Sequence, residues 1–168
     1  MKHLTLFFTM VTCLFFTFHS IAQDEPQMSE EHEMSEEHQI KFLIDTLFDG
    51  MREGDSAKLA SVFHTEINMF TSCTNQEGDN MIKKGSRDLF LKAKGTLHEE
   101  IWDEKIWNTK IEIDGGIAQV WTDYAFYVGS EFSHCGVDAF HLIKDNEKGW
   151  KIIHLMDSRR KNGCEMQD

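Results

Sequence analysis

Between Gly95 and Trp102 the hydrophobic period of this chain changes from helical to two, and that change decides what it can fold into. Before it, Ile40, Leu43, Ile44, Leu47, Phe48 and Met51 form one apolar stripe at i, i+3, i+4, i+7 spacing. Gly54 stops this first helix, and Asp55-Ser56 caps a second, whose buried side is Leu59, Ala60, Val62 and Phe63. Ile67 to Phe70 reads as a short strand, and residues 74–87 as a loop or loose hairpin. Ser86 to Lys94 is a short third helix ending at Gly95. Beyond it, residues 102–113, 117–128, 133–144 and 150–158 alternate as four strands. Their connections, at residues 114–116, 129–131 and 145–149, are hairpin-type turns. Helices followed by an antiparallel meander predict an α+β domain, with three N-terminal helices packed on one face of a curved antiparallel sheet.

The ends of the chain have a different composition. Residues 1–22 read as a secretory signal: Lys2 and His3, an apolar run from Leu4 to Phe18, then Ser20-Ile21-Ala22 before Gln23. The run is short for a membrane span, so no membrane association is expected after cleavage. Residues 23–38 hold seven acids and no Lys or Arg, whereas residues 39–168 carry a net −6. Much of the total charge of −12 therefore belongs to an acidic tether. The tether repeats Met-Ser-Glu-Glu-His at 28–32 and 34–38, which offers His and Glu as metal ligands. His32 and His38 are six apart and do not share a helical face, so a solvated tether running into the first helix, with Ser35 as N-cap, is the expectation. The acidity and the lack of a basic stripe argue against nucleic acid as a partner. The packed domain spans residues 39–164, followed by a tail, 165–168.

Leu47 to Asp55, Leu59 to His64, the Gly149-Trp150-Lys151-Ile152 strand and Asp157 to Arg160 together resemble the nuclear-transport-factor-2-like superfamily. That superfamily includes SnoaL-like cyclases and secreted bacterial proteins described as "putative lumazine-binding". The resemblance covers residues 39–164. It implies a cone: three helices on the concave face of a highly curved sheet, with a pocket between. It also implies homodimers through the outer sheet face, and a fold that hosts unrelated chemistries.

Strand alternation assigns faces. The resemblance favours Val120, Thr122, Tyr124 and Phe126 as inward. His134, Asp138 and Phe140 share a side of the third long strand, and His154 and Met156 share a side of the last. On the first long strand Trp107, Thr109, Ile111 and Ile113 are the more apolar set. The expected pocket is then Trp107, Tyr124, Phe126, Asp138, Phe140, His154 and Met156, with His134 at the rim. An aromatic wall with a carboxylate, an imidazole and a phenol suits a small apolar or aromatic molecule. A strand slip of one residue would exchange the whole set. No motif for a metal or a cofactor is present, and none is expected.

Cys73, Cys135 and Cys164 survive signal removal. Pairing Ile143 with about Ile152 puts Cys135 opposite about Arg160, so either a Cys135–Cys164 bridge or three free thiols results. Three functions fit. One is an exported, periplasmic or secreted, binding module that holds an apolar ligand unchanged. Another is an isomerase, dehydratase or cyclase with His154 or Asp138 as general base and Tyr124 polarising a carbonyl. The third is an assembly protein that dimerises through Trp121, Tyr127, Val137, Ile153 and Leu155.

Overall fold

The computed structural model describes residues 34–165. The expected signal and most of the expected acidic tether, including the first Met-Ser-Glu-Glu-His copy, lie outside the described residues. Helix α1 is Glu36–Glu53 and α2 is Ser56–Val62. The Ser35 hydroxyl accepts from the His38 amide at 3.3 Å, with Glu36 and Glu37 in the first turn, where the helix dipole favours acids. Glu36, Glu37 and His38, counted with the tether in the sequence, thus belong to this helix. Gly54 ends it in the left-handed conformation, φ 64°, and Asp55 Oδ1 accepts from the amides of Ala57 and Lys58 to start α2.

Strands β1 (Phe63–Thr74) and β2 (Asn80–Gly85) precede α3 (Arg87–Lys94), and β3 (Trp102–Asp114), β4 (Ile117–Val128), β5 (Glu131–Asp145) and β6 (Gly149–Arg159) follow it. The six strands form one sheet in the order β2-β1-β6-β5-β4-β3. This corrects the sequence expectation at one point. The sheet is mixed rather than antiparallel, because β1 pairs in parallel with β6. Of the two alternatives for segment 74–87, loop or loose hairpin, it is the hairpin: β2 pairs antiparallel with β1 and forms the edge of the sheet. β2 is exposed along its whole length and carries Lys83 and Lys84, so no buried face left an alternating pattern to read.

Ile40, Ile44, Leu47 and Leu59 from the helices are almost wholly buried against Val120, Tyr124, Phe140, Leu142 and Ile152 from the sheet. Each such side chain contributes about 1.5–3 kcal/mol. This is an α+β cone, with the helices on the concave face. Among the described residues no helix is long and apolar enough to cross a membrane.

Candidate functional site

The cone interior is built mainly from β4 and β5, whose pairing is regular from Ile117–Ile143 to Phe126–His134, so parity holds over that stretch. Tyr124 lies opposite Gly136, Phe126 opposite His134, and Thr122 opposite Asp138. All turn their side chains inward, as does Phe140. The cavity there has a volume of about 40 Å³. Leu47, Phe48, Met51, Phe90, Phe140 and Leu155 form its apolar half. The polar half is Lys94, Glu104, Tyr124, His134, Asp138, Asp157 and Arg159.

Trp107, His154 and Met156 are not in it. Asn108 takes φ 52°, and the β3–β4 register shifts between Trp107 and Lys110. Before this bulge Glu104 and Ile106 face inward opposite Phe126 and Tyr124. After it Thr109 meets Thr122, Oγ1 to Oγ1 at 2.8 Å. Trp107 is left on the other face, in a crevice with Asp123, Cys135 and Arg160. A second bulge, between the His141 and Leu142 pairings, makes Ile153 an extra residue on β6. Trp150 and Ile152 stay inward, but beyond the bulge Leu155, Asp157 and Arg159 do so instead of His154, Met156 and Ser158. His154 therefore cannot act as base in the cone: its ring stacks on His141 on the outer face. Leu155, expected at the outer dimer face, is in the core.

The bulges also bring in residues that alternation alone missed. Glu104 and Asp138 lie side by side as hydrogen-bond partners. Asp138 is 4% exposed, and its Oδ2 is buried with no hydrogen-bond partner among the described residues. Two acceptor-only carboxylates cannot bond each other, so their closeness favours a form in which one of the two is protonated. Burial pushes Asp138 well above the ordinary carboxylate range, and the adjacent Glu104 pushes it further. Burial also raises Glu104, against the lowering effects of the Asp138 hydrogen bond and of Lys94. Glu104 keeps a partly accessible edge toward Asp49 and Arg52 on α1.

The Lys94 ammonium sits 4.3 Å above the Trp102 ring and 4.4 Å from the Phe126 ring. Burial lowers its pKa, while the two aromatic faces favour the charged form. Asp157 accepts from Arg159 Nε and from the Thr71 hydroxyl, both at 2.6 Å. His134 is pushed down to about 4, first by burial and then by Arg159 and Lys94, so its ring is neutral at neutral pH. The Tyr124 hydroxyl donates to the Ser158 carbonyl at 2.9 Å, and burial raises its pKa. Gly136 makes this possible, because a Cβ there would overlap the Ser158 carbonyl oxygen and crowd the Tyr124 ring.

A disulfide joins Cys135 to Cys164 with Cα atoms 5.9 Å apart, and Cys135 and Arg160 exchange backbone hydrogen bonds at 2.9 Å. Arg160 and Cys164 are thereby fixed beside the strand that carries His134 and Asp138. Cys73 is a free thiol. Among the described residues no group of three or more His, Cys, Asp or Glu side chains is placed to hold a metal ion.

A curved sheet closed by three helices over a polar-floored pocket defines the nuclear-transport-factor-2-like class, also called cystatin-like. The chain belongs to the family described as "Putative lumazine-binding", which matches residues 35–156. Solved structures show the same fold at low identity. An NTF2-like protein of unknown function from Shewanella baltica is 16% identical with a TM-score of 0.59, over 76% of this chain and 95% of that one. An NTF2-like protein with a cystatin-like fold from Novosphingobium aromaticivorans is 11% identical with a TM-score of 0.61, over 77% and 84%. A protein from Streptomyces avermitilis, described as a "putative dehydratase from the NTF2-like family", is 14% identical with a TM-score of 0.53, over 74% and 96%. Among curated proteins none matches the chain.

Proposed function

We propose that the cone is a small-molecule site in which the Glu104–Asp138 pair moves a proton on a bound carbonyl compound. The observation that carries this reading is the pair itself, two neighbouring carboxyls that line the interior, both held above the ordinary carboxylate range by burial. Well-packed apolar residues in place of buried charged groups are often neutral or stabilising, so stability alone gives no reason to keep the pair. A pair with one proton offers both halves of an isomerisation. The ionised carboxylate takes a proton from carbon, and the protonated partner delivers one to oxygen. The cavity of about 40 Å³ admits only the reacting end of a ligand. The rest would lie toward Lys94 and Arg159.

A second reading, carriage of a small apolar or aromatic molecule without chemistry, is favoured by the apolar half of the wall, Leu47, Phe48, Met51, Phe90 and Phe140. One experiment separates the two. A panel of small enolisable carbonyl compounds is incubated with the protein in heavy water, and binding and hydrogen–deuterium exchange are followed by NMR. Proton transfer predicts accelerated exchange that falls on the order of 10²–10⁴-fold in Asp138→Asn. Binding without exchange favours carriage, and neither binding nor exchange overturns both.

The setting proposed for this activity is outside the cytoplasm. The composition of residues 1–22 supports export, and the Cys135–Cys164 bridge supports an oxidising compartment.

A further inference from the structure

The outer sheet face carries exposed apolar side chains, yet one continuous polar row crosses it. Register pairs Glu112 with Gln119, Gln119 with His141, His141 with His154, and His154 with Asn68, on five successive strands. Ile143 and Met156 flank the row. At its centre the imidazoles of His141 and His154 stack at 5.1 Å with 17° between their planes, and their Nδ1 atoms are 3.2 Å apart. Glu112 and Gln119 hydrogen-bond to each other, and both line the same outer groove as His141.

We infer that His141 and His154 form a two-point chelate for a divalent transition-metal ion of the zinc, nickel and copper class. Imidazole nitrogens are the preferred ligands of these ions. Bonds of 2.0–2.1 Å to one ion put adjacent ligand nitrogens about 2.9–3.4 Å apart, over the range from square to tetrahedral angles. The observed 3.2 Å needs no rearrangement of either strand. Without metal, one ring donates its Nδ1–H to the other. With metal, both rings are Nε2–H tautomers and present Nδ1 lone pairs, so one proton moves from Nδ1 to Nε2 and the charge of the pair is unchanged. Two protein ligands leave the other coordination positions to water. The site is therefore an exchangeable one rather than a structural centre. It is separate from the cone and independent of the function proposed for it.

The test uses the full chain and nickel chloride as the probe. His32 and His38 are left unaltered, so that any binding by the tether is common background. Calorimetric titration is compared among the native chain, His141→Gln and His154→Gln. Modification of histidines by diethylpyrocarbonate, with and without nickel, is mapped by peptide mass spectrometry on the native chain, which requires no substitution. The expected result is a site whose affinity falls on the order of 10²-fold in either variant, because a two-point attachment becomes one-point. Protection of His141 and His154 together is also expected. Titrations unchanged by both substitutions, or nickel protecting neither ring, overturn the proposal.

Discussion

Replacing Asp138 by Asn removes one of the two interior carboxyls of the cone and keeps its volume. The amide can still donate to Glu104, so packing and the hydrogen bond survive. What changes is proton linkage. In the unfolded chain both acids ionise near their ordinary values, 3.8 and 4.5. In the folded chain both are raised, so over a window above pH 4 the native state binds more protons than the unfolded state. Stability from this source is complete below the unfolded values and is lost as pH rises toward the folded ones. One proton of difference amounts to about 1.4 kcal/mol per pH unit within the window. The substituted amide cannot ionise, and removing a neighbouring charge lets Glu104 return toward its ordinary value. The variant is therefore expected to match the native chain near pH 4 and to gain on it by about 1.4 kcal/mol per pH unit above, until the native pair ionises. In melting temperature that is about 4 °C per kcal/mol for a domain of this size. Urea unfolding followed by tryptophan fluorescence, at about half-unit steps from about pH 4 to 9 with the disulfide intact, measures the difference. Parallel stability curves for the two proteins would refute the shared proton. A variant less stable than the native chain throughout the neutral range would refute it as well.

His134 gives the opposite slope. Its folded pKa of about 4 lies below the ordinary 6.5, so its contribution is complete above pH 6.5 and is lost as pH falls toward 4. Discounted for its half-open position, this is about 1–2 kcal/mol, and His134→Gln is expected to show a correspondingly shallower acid limb in thermal melts. An unchanged limb would contradict the assignment. Opening the Cys135–Cys164 bridge, which spans 29 residues, is expected to cost about 3–4 kcal/mol on loop entropy. Cys135→Ser, Cys164→Ser and the double variant should then unfold at similar urea concentrations, well below the oxidised native chain. Gly136→Ala places a methyl group against the Ser158 carbonyl and the Tyr124 ring. A loss of at least about 3 kcal/mol is expected by urea unfolding, and a variant of native stability would contradict the close approach.

Where alternation runs unbroken, the sequence shows the site directly. Tyr124, Phe126, His134, Asp138 and Phe140 lie on stretches of β4 and β5 whose facing register is regular, and counting by two puts all of them in the cone. Gly54 and Asp55 likewise mark the junction between α1 and α2 through local chemistry visible in the chain itself. Trp107, His154 and Met156 fall the other way because one extra residue at each of two bulges reverses every side chain beyond it. Neither Asn108 nor Ile153 announces a bulge in sequence. A partial signal did exist for Glu104, an acid spaced by two from both Trp102 and Ile106 on an apolar strand face. Asp157 and Arg159 become legible only once the Ile153 bulge is known, because parity counted from Trp150 points both of them outward.

The most direct test of the shared proton in the cone is a carbon-13 NMR titration of the Glu104 and Asp138 side-chain carboxyls. The two are expected to titrate as a coupled pair, with one proton retained well above the ordinary carboxylate range, and Asp138→Asn is expected to return the remaining carboxyl toward that range. Two independent titrations near the ordinary values of 3.8 and 4.5 would contradict the shared proton.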